Sequence, residues 1–485
     1  MNSLQTLRRI PRRVAQPWLT ILLLSFLAVS GLRNSGATHA VPMSPAQQPA
    51  ERNVSEELRD AALLLQSGKP EDAERILRQV LATASQNSDA HNLLGITLDQ
   101  QGKVAEAERE YRAAIRFRPN NVSAIANLGV LLAHANRSAE AIKTFESVLR
   151  IVPDHPQATL NLGLQSAAAG DDQRAIPLLE KAISLGLDSY EVRYHLALSL
   201  YNVKRFADAK RNFDAALVAN PNVAGPHFYL GLIAWAAGQD EAAAESWERA
   251  VTLQPVFPEA NFMLGEALRK HQRTAAAVEF YRRALDQEPG RYVYYARLGG
   301  AYILLGQPDQ ALEVFSAGLK RFPDLAEAHY FVALAARAQV NYDLADNELR
   351  KSLALEANNI NALAQLGFVL LERNQLKEAE GLLRRALQIS DRHFYANYDL
   401  GRLLFKSQRY AEALTILQHA VTLKSADAGV HYQLFMTLSR LKRTAEAERE
   451  LAIFKELEAK RKARTPAAGT GELEDAPVLA RPAQP

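Results

Sequence analysis

The sequence predicts an all-α fold, an α-solenoid of about twelve helix-turn-helix units, and three observations predict it. An alanine recurs every 34 residues, twelve times, with no insertion or deletion: Ala73, Ala107, Ala141, Ala175, Ala209, Ala243, Ala277, Ala311, Ala345, Ala379, Ala413 and Ala447. Twelve residues before each stands a second residue, small in every unit but the last. It is glycine in eight units (Gly95, Gly129, Gly163, Gly231, Gly265, Gly299, Gly367, Gly401), alanine in three (Ala61, Ala197, Ala333) and Phe435 in the last. Proline closes six of the units, at Pro119, Pro153, Pro221, Pro255, Pro289 and Pro323. A fixed period of this length is the signature of one supersecondary unit stacked on itself.

The unit containing Gly95 justifies each element in turn. With Gly95 as position 8, His91, Leu94, Gly95 and Leu98 occupy positions 4, 7, 8 and 11. That spacing puts them on one face of a first helix. Gly102 at position 15 marks a turn, as do Gly68, Gly170, Gly238 and Gly306. Ala107, Tyr111 and Ala114 at positions 20, 24 and 27 repeat the helical spacing and define a second helix, which the proline at position 32 stops. Helices packed about 8–10 Å apart need small residues where the backbones approach, which accounts for positions 8 and 20. The large residue at position 24 (Tyr111, Phe145, Phe213, Trp247, Tyr281, Phe315) fills the remaining volume. Pro177, early in a second helix, is expected to cost one hydrogen bond and bend it slightly.

These residues resemble the tetratricopeptide repeat, a 34-residue helix-turn-helix carrying Leu-Gly, then alanine, an aromatic and proline. The match runs over roughly residues 55 to 459. It departs at position 4, where the family's tryptophan is replaced by His91, His227, His329 and His431. The resemblance implies a right-handed superhelix whose first helices line a concave groove, and a protein that holds partners rather than doing chemistry.

Composition agrees with a folded helical chain, at 48% hydrophobic and 23% charged residues. The absence of cysteine excludes disulfides, thiolate metal sites and cysteine nucleophiles. No phosphate-binding glycine loop and no G-x-S-x-G elbow occurs. The position-4 histidines are expected to pack, with no metal-ligand spacing beside an acid. Carboxylates such as Glu71, Asp72, Asp240, Asp309 and Glu378 begin second helices, where they complement the helix dipole. The expectation is therefore no catalytic residue, no metal and no cofactor.

Arg8, Arg9, Arg12 and Arg13 precede an apolar run from Trp18 to Leu32, followed by small residues. This order is that of a secretory signal peptide, with cleavage expected after Ala37 or Ala40, or less favourably after Ser30. The alternative is an uncleaved anchor over Val14 to Leu32. Either reading puts the repeats outside the cytoplasm, in the periplasm or beyond, with any membrane contact through this segment alone. The net charge of +3 then misleads: removing the five arginines of the first 40 residues leaves −2, which argues against a nucleic-acid partner. The expected organisation is a leader over 1–40, a flexible linker over 41–54, the solenoid over 55–459, and a Pro/Ala/Gly-rich tail over 460–485 that opens with a basic helix end at Lys460, Arg461, Lys462 and Arg464.

The resemblance also implies that positions 2, 5, 9 and 12 point into the groove. Position 5 reads Tyr194, Phe228, Phe262, Ala296, Tyr330, Ala364, Tyr398 and Tyr432; position 12 adds Tyr201, Trp235, Arg269, Ile303, Arg337, Leu371 and Phe405. Rings and arginines of this kind make binding hot spots. Two helical turns separate positions 5 and 12, so Tyr194 is expected beside Tyr201 and Phe228 beside Trp235. The alternative is that position 5, about 100° from the core stripe, packs between neighbouring first helices. Asn127 and Asn161 at position 6 match the asparagine ladder of O-linked N-acetylglucosamine transferase arrays, but the ladder ends at His195 and Tyr229. The lysine and asparagine of chaperone-type carboxylate clamps are replaced by Tyr194 and Leu198, and by Phe228 and Leu232. The expected partner is an extended peptide or protein held in the groove. The alternative reading is an accessory factor of envelope polysaccharide synthesis or export, with a glycan on the aromatic stripe; an enzyme with an unrecognised site is the third.

Overall fold

The computed structural model describes residues 48–464. The expected leader, the first part of the expected linker and the tail from residue 465 lie outside them. Within that span every regular element is an α-helix, beginning with Gln48–Gln66 and Pro70–Thr83 and ending with Ala428–Arg440 and Thr444–Arg464. First helices open at Ser88, Val122, Pro156, Tyr190 and onward at the same interval, so the 34-residue period is kept throughout. We number the repeats one to twelve. The opening helix begins inside the stretch expected as linker. Pro49 falls in its first turn, where a proline costs no helical hydrogen bond. The closing helix runs on to Arg464, past the expected end of the array. Asp172–Ser184 continues unbroken through Pro177.

Two compact blocks divide the described chain, one ending at Ile233 and the other beginning at Ala234. Both use the same packing. The alanines of position 20 are buried, at 0% exposure from Ala73 to Ala413. Position 8 needs its glycine because position 24 of the same repeat lies directly over it. A Cβ on Gly95 would stand 2.6 Å from the Tyr111 ring, and one on Gly129 would stand 2.6 Å from Phe145. The ring at position 24 also reaches forward, since Phe213 stacks on Tyr229 and Phe315 on Phe331, at 5.4 and 5.1 Å between centroids. Within each block the core is thus a layer between first and second helices that ties a repeat to its neighbour.

Position 15 takes a left-handed backbone conformation in every repeat. Five are glycines, and the other seven are Asn136, Lys204, Gln272, Val340, Asn374, Gln408 and Lys442. The next N–H then reaches back to the first helix, as from Lys103 to the Leu98 carbonyl at 2.8 Å and from Arg137 to Leu132 at 2.9 Å. Position 34 caps many of the first helices: Asn121, Asn359 and Asp427 accept from the N–H three residues on.

Position 4, lacking tryptophan, holds the preceding repeat by hydrogen bonding. The side chains of His91, Asn261, Tyr295, His329, Asn397 and His431 each donate to the carbonyl six residues upstream, at 2.7–3.3 Å. Those carbonyls belong to position 32 of the previous repeat, so one side chain joins two repeats.

Candidate functional site

The groove-facing positions are set by the first helices, whose opposite stripe at positions 7, 8 and 11 is committed to the core. In the N-terminal block the structure leaves much of this face half-exposed. Asn127 donates its amide to Asn92 Oδ1 at 3.0 Å, and Asn161 accepts from Gln157 at 3.4 Å. Leu164, His195, Leu198 and Tyr201 stand half-buried beside them. Tyr194 and Tyr201 take different neighbours from those expected. Tyr194 stacks on Tyr190 at 5.6 Å and leans on Phe213 at 5.9 Å, whereas Tyr201 meets Phe206 at 5.5 Å and Tyr229 edge-on at 5.2 Å. Burial raises both phenols above their ordinary pKa.

The expectation that position 5 stands clear of the core fails at five of the eight positions, where Ala296 and Ala364 are 4% and 2% exposed and three rings are buried with them. Phe228, Phe262 and Tyr330 are 1%, 5% and 2% exposed. The reason is visible at Phe262, whose ring wedges between Tyr281 of its own second helix at 5.9 Å and Tyr294 of the next repeat at 5.1 Å. These rings are packing residues, and their substitution acts first on stability.

In the C-terminal block, polar groups on the same face are largely used up by one another. Trp235 lies 5.6 Å from Trp247 with the Lys270 ammonium 4.5 Å above its ring. Glu266, 4% exposed, accepts from the Tyr281 hydroxyl at 2.5 Å, faces Arg297 at 3.1 Å and has Arg269 at 3.6 Å. Burial first, and Glu266 second, push the Tyr281 phenol well above its usual range. Arg337 lies over Phe368 at 5.1 Å. Tyr398 stacks on Phe394 at 6.0 Å, and Asp399 beneath it pairs with Arg402 at 3.1 Å. Burial pushes the Asp399 carboxyl up to about 6 against the opposing pull of Arg402. Tyr432, 44% exposed, leans on Phe435 and Phe454 in the last repeat.

One arrangement escaped the sequence reading. His91, His329 and His431 each turn Nδ1 to a glutamate 19 residues on, Glu110, Glu348 and Glu450, at 2.5–2.6 Å. Each Nε2 meets the carbonyl already described, so both ring nitrogens face acceptors. The signal was present, because glutamate occupies position 23 in these three histidine-bearing repeats. A histidine with both nitrogens so committed is a structural tie, and among the described residues no cluster of three or more histidines and carboxylates could hold a metal.

Family models for the tetratricopeptide repeat match residues 64–132, 100–161, 268–335 and 370–422, and a second such model matches 194–252 and 234–292, together more than half of the chain. The chain belongs to the tetratricopeptide repeat family. Among curated proteins it is similar to a human FK506-binding protein-like, 29% identical over 164 residues that cover 32% of this chain and 46% of that one. It is also similar to the type IV pilus assembly protein PilF of Pseudomonas aeruginosa, 33% identical over 85 residues, covering 18% and 34%. The aligned stretch spans half or less of each of these relatives. A solved structure of the APC/C hetero-tetramer Cut9-Hcn1 aligns with 13% identity over 90% of this chain and 98% of that chain, with a TM-score of 0.43. Proteins of the family generally mediate protein–protein interaction, and an array made of such repeats is typical of non-catalytic scaffolds.

Proposed function

We propose that the chain is a non-catalytic adaptor, exported from the cytoplasm, that grips an extended segment of a partner protein along the first-helix face of its N-terminal block. One observation carries this reading. At positions 6, 9 and 12 of the fourth and fifth repeats, Asn161, Leu164, His195, Leu198 and Tyr201 stay half-exposed while the stripe behind them is buried. Leucines and a tyrosine bordered by amides offer apolar anchors together with groups that can pair with a peptide backbone. Tyr194 and Tyr201 already lean on protein rings, which favours a protein segment over a sugar stacked on a free aromatic platform. The charge pattern from Arg8 to Leu32 supports export.

A photo-crosslinking residue at Leu198 in cells tests the reading against one at Arg211 on a second helix, whose side chain is 73% exposed. A discrete protein adduct from Leu198 and none from Arg211 is expected. Adducts of equal yield at both, or none at Leu198, count against it.

A further inference from the structure

The second-helix side of the N-terminal block holds a feature that the adaptor reading does not use. In the second, ninth and twelfth repeats, a histidine at position 4 and a glutamate at position 23 fill the gap between the helices. The third repeat has Ile125 and Thr144 at those places. Thr144 stands in the lining of an open cavity of about 770 Å³ between the second and third repeats.

Four cations line it, Arg112 and Arg116 from the second repeat and Lys143 and Arg150 from the third, and no carboxylate does. Arg112 is committed to Glu108 at 2.8 Å. Among the described residues, Arg116, Lys143 and Arg150 have no acidic partner: Arg116 lies over the Phe117 ring at 4.7 Å, and Arg150 donates to Ser147 Oγ at 2.7 Å. Behind the charges the floor is apolar, with Ile125 and Leu128 each 5% exposed. This concentration of charge is local. The register position of Lys143 carries Glu245, Glu279 and Glu313 in the sixth to eighth repeats, and that of Arg150 carries Asp286 in the seventh.

We propose that this cavity binds an acidic protein segment in which carboxylates flank apolar side chains. Arg116 and Arg150 share one register position on second helices a repeat apart, with Val122–His134 packed against both helices, so they suit two separate carboxylates better than one phosphate. Ile151, 41% exposed, and Ile115 also stand in the lining, and an apolar side chain covers them as a bare anion or a polyanionic sugar cannot. Such a segment lies apart from the first-helix face, so the protein can hold two partner segments at once.

The test is fluorescence anisotropy on the full chain with a labelled peptide alternating glutamate and leucine, at low and at physiological salt. Saturable binding below about 1 mM is expected, weakened by salt and abolished when the glutamates are replaced by glutamine. The double substitution Lys143→Gln with Arg150→Gln, both exposed, is expected to weaken it by about 10-fold or more. Thr144→Leu keeps every charge and fills the cavity; the fold accommodates leucine there, since the tenth repeat has Leu382 at that position. It is expected to weaken binding about 5-fold or more. The absence of saturable binding, binding indifferent to both variants, or displacement of the peptide by equimolar tripolyphosphate would overturn the proposal.

Discussion

The first helices of the fifth and seventh repeats share one register and end in opposite states. In Tyr190–Asn202 the side chains of Tyr194, His195, Leu198 and Tyr201 remain half-exposed, whereas in Pro258–Lys270 every residue from Glu259 to Leu268 is buried. The neighbours make the difference. Around the seventh repeat, Tyr294 closes on Phe262, and Arg297 and Tyr281 close on Glu266. The fifth repeat offers His195 and Leu198 at the corresponding positions 6 and 9, with no such set of complementary charges. Register thus decides which side chains face the groove, and the chemistry at positions 3, 6 and 9 of adjacent repeats decides whether that face is open.

The sharpest way to break this comparison is to truncate one side chain from each helix. Phe262→Ala removes a ring wedged between two others and is expected to destabilise by about 3–5 kcal/mol in urea unfolding. Leu198→Ala, half-exposed, is expected to cost about 1 kcal/mol and to act on partner binding instead. Equal losses from the two would mean that the faces are packed alike.

A second difference is electrostatic. The folded-state pKa of Asp399 is raised to about 6 from 3.8, so the folded chain holds this proton more tightly than the unfolded chain does between those values. Its contribution is therefore present at low pH and lost as pH rises through about 6, by up to about 3 kcal/mol. Asp399→Asn is expected to flatten the fall in melting temperature between pH 4.5 and pH 7. An unchanged slope would show that Arg402 and Arg337 already balance the ionised form against Glu372.

Smaller effects test the shared framework. Gly299→Ala would drive a methyl group into the Phe315 ring and is expected to cost about 1–3 kcal/mol, whereas Gly381, with open space around its Cβ position, is expected to tolerate alanine or gain about 1 kcal/mol. Val340 is a β-branched residue held at φ 60° and is 65% exposed. Val340→Gly is expected to stabilise by about 1 kcal/mol, read as a rise in melting temperature. A fall would show that the turn tolerates the valine without strain.

Much of this was legible in the sequence, because the repeat is enforced by steric contacts with one solution. Gly95 must be small under Tyr111, and Ala107 must be small between two helices, so the period shows through every substitution elsewhere. The left-handed turn was legible only where glycine occupies it, since Val340 and Lys204 give no such sign. The state of the groove was legible only as an alternative, position 5 packing between neighbouring first helices, with no sign of which repeats would follow it. Phe228 and Tyr194 occupy the same register position as large rings, yet one is buried and the other half-exposed, an outcome set by contacts between repeats. The glutamate partners of His91, His329 and His431 were visible as a 19-residue coincidence, but only once position 4 is seen to lean on the second helix.

The difference between the two faces can be measured without knowing any partner. The chain has no cysteine, so a single introduced thiol reports one position. Labelling rates of Leu198→Cys and Leu334→Cys, both at position 9, compare the two faces under native conditions. Leu334 is 3% exposed, and its thiol must wait for local opening. Leu198→Cys is expected to react at least about 10-fold faster; comparable rates, or faster labelling at Leu334→Cys, would mean that the two faces are packed alike.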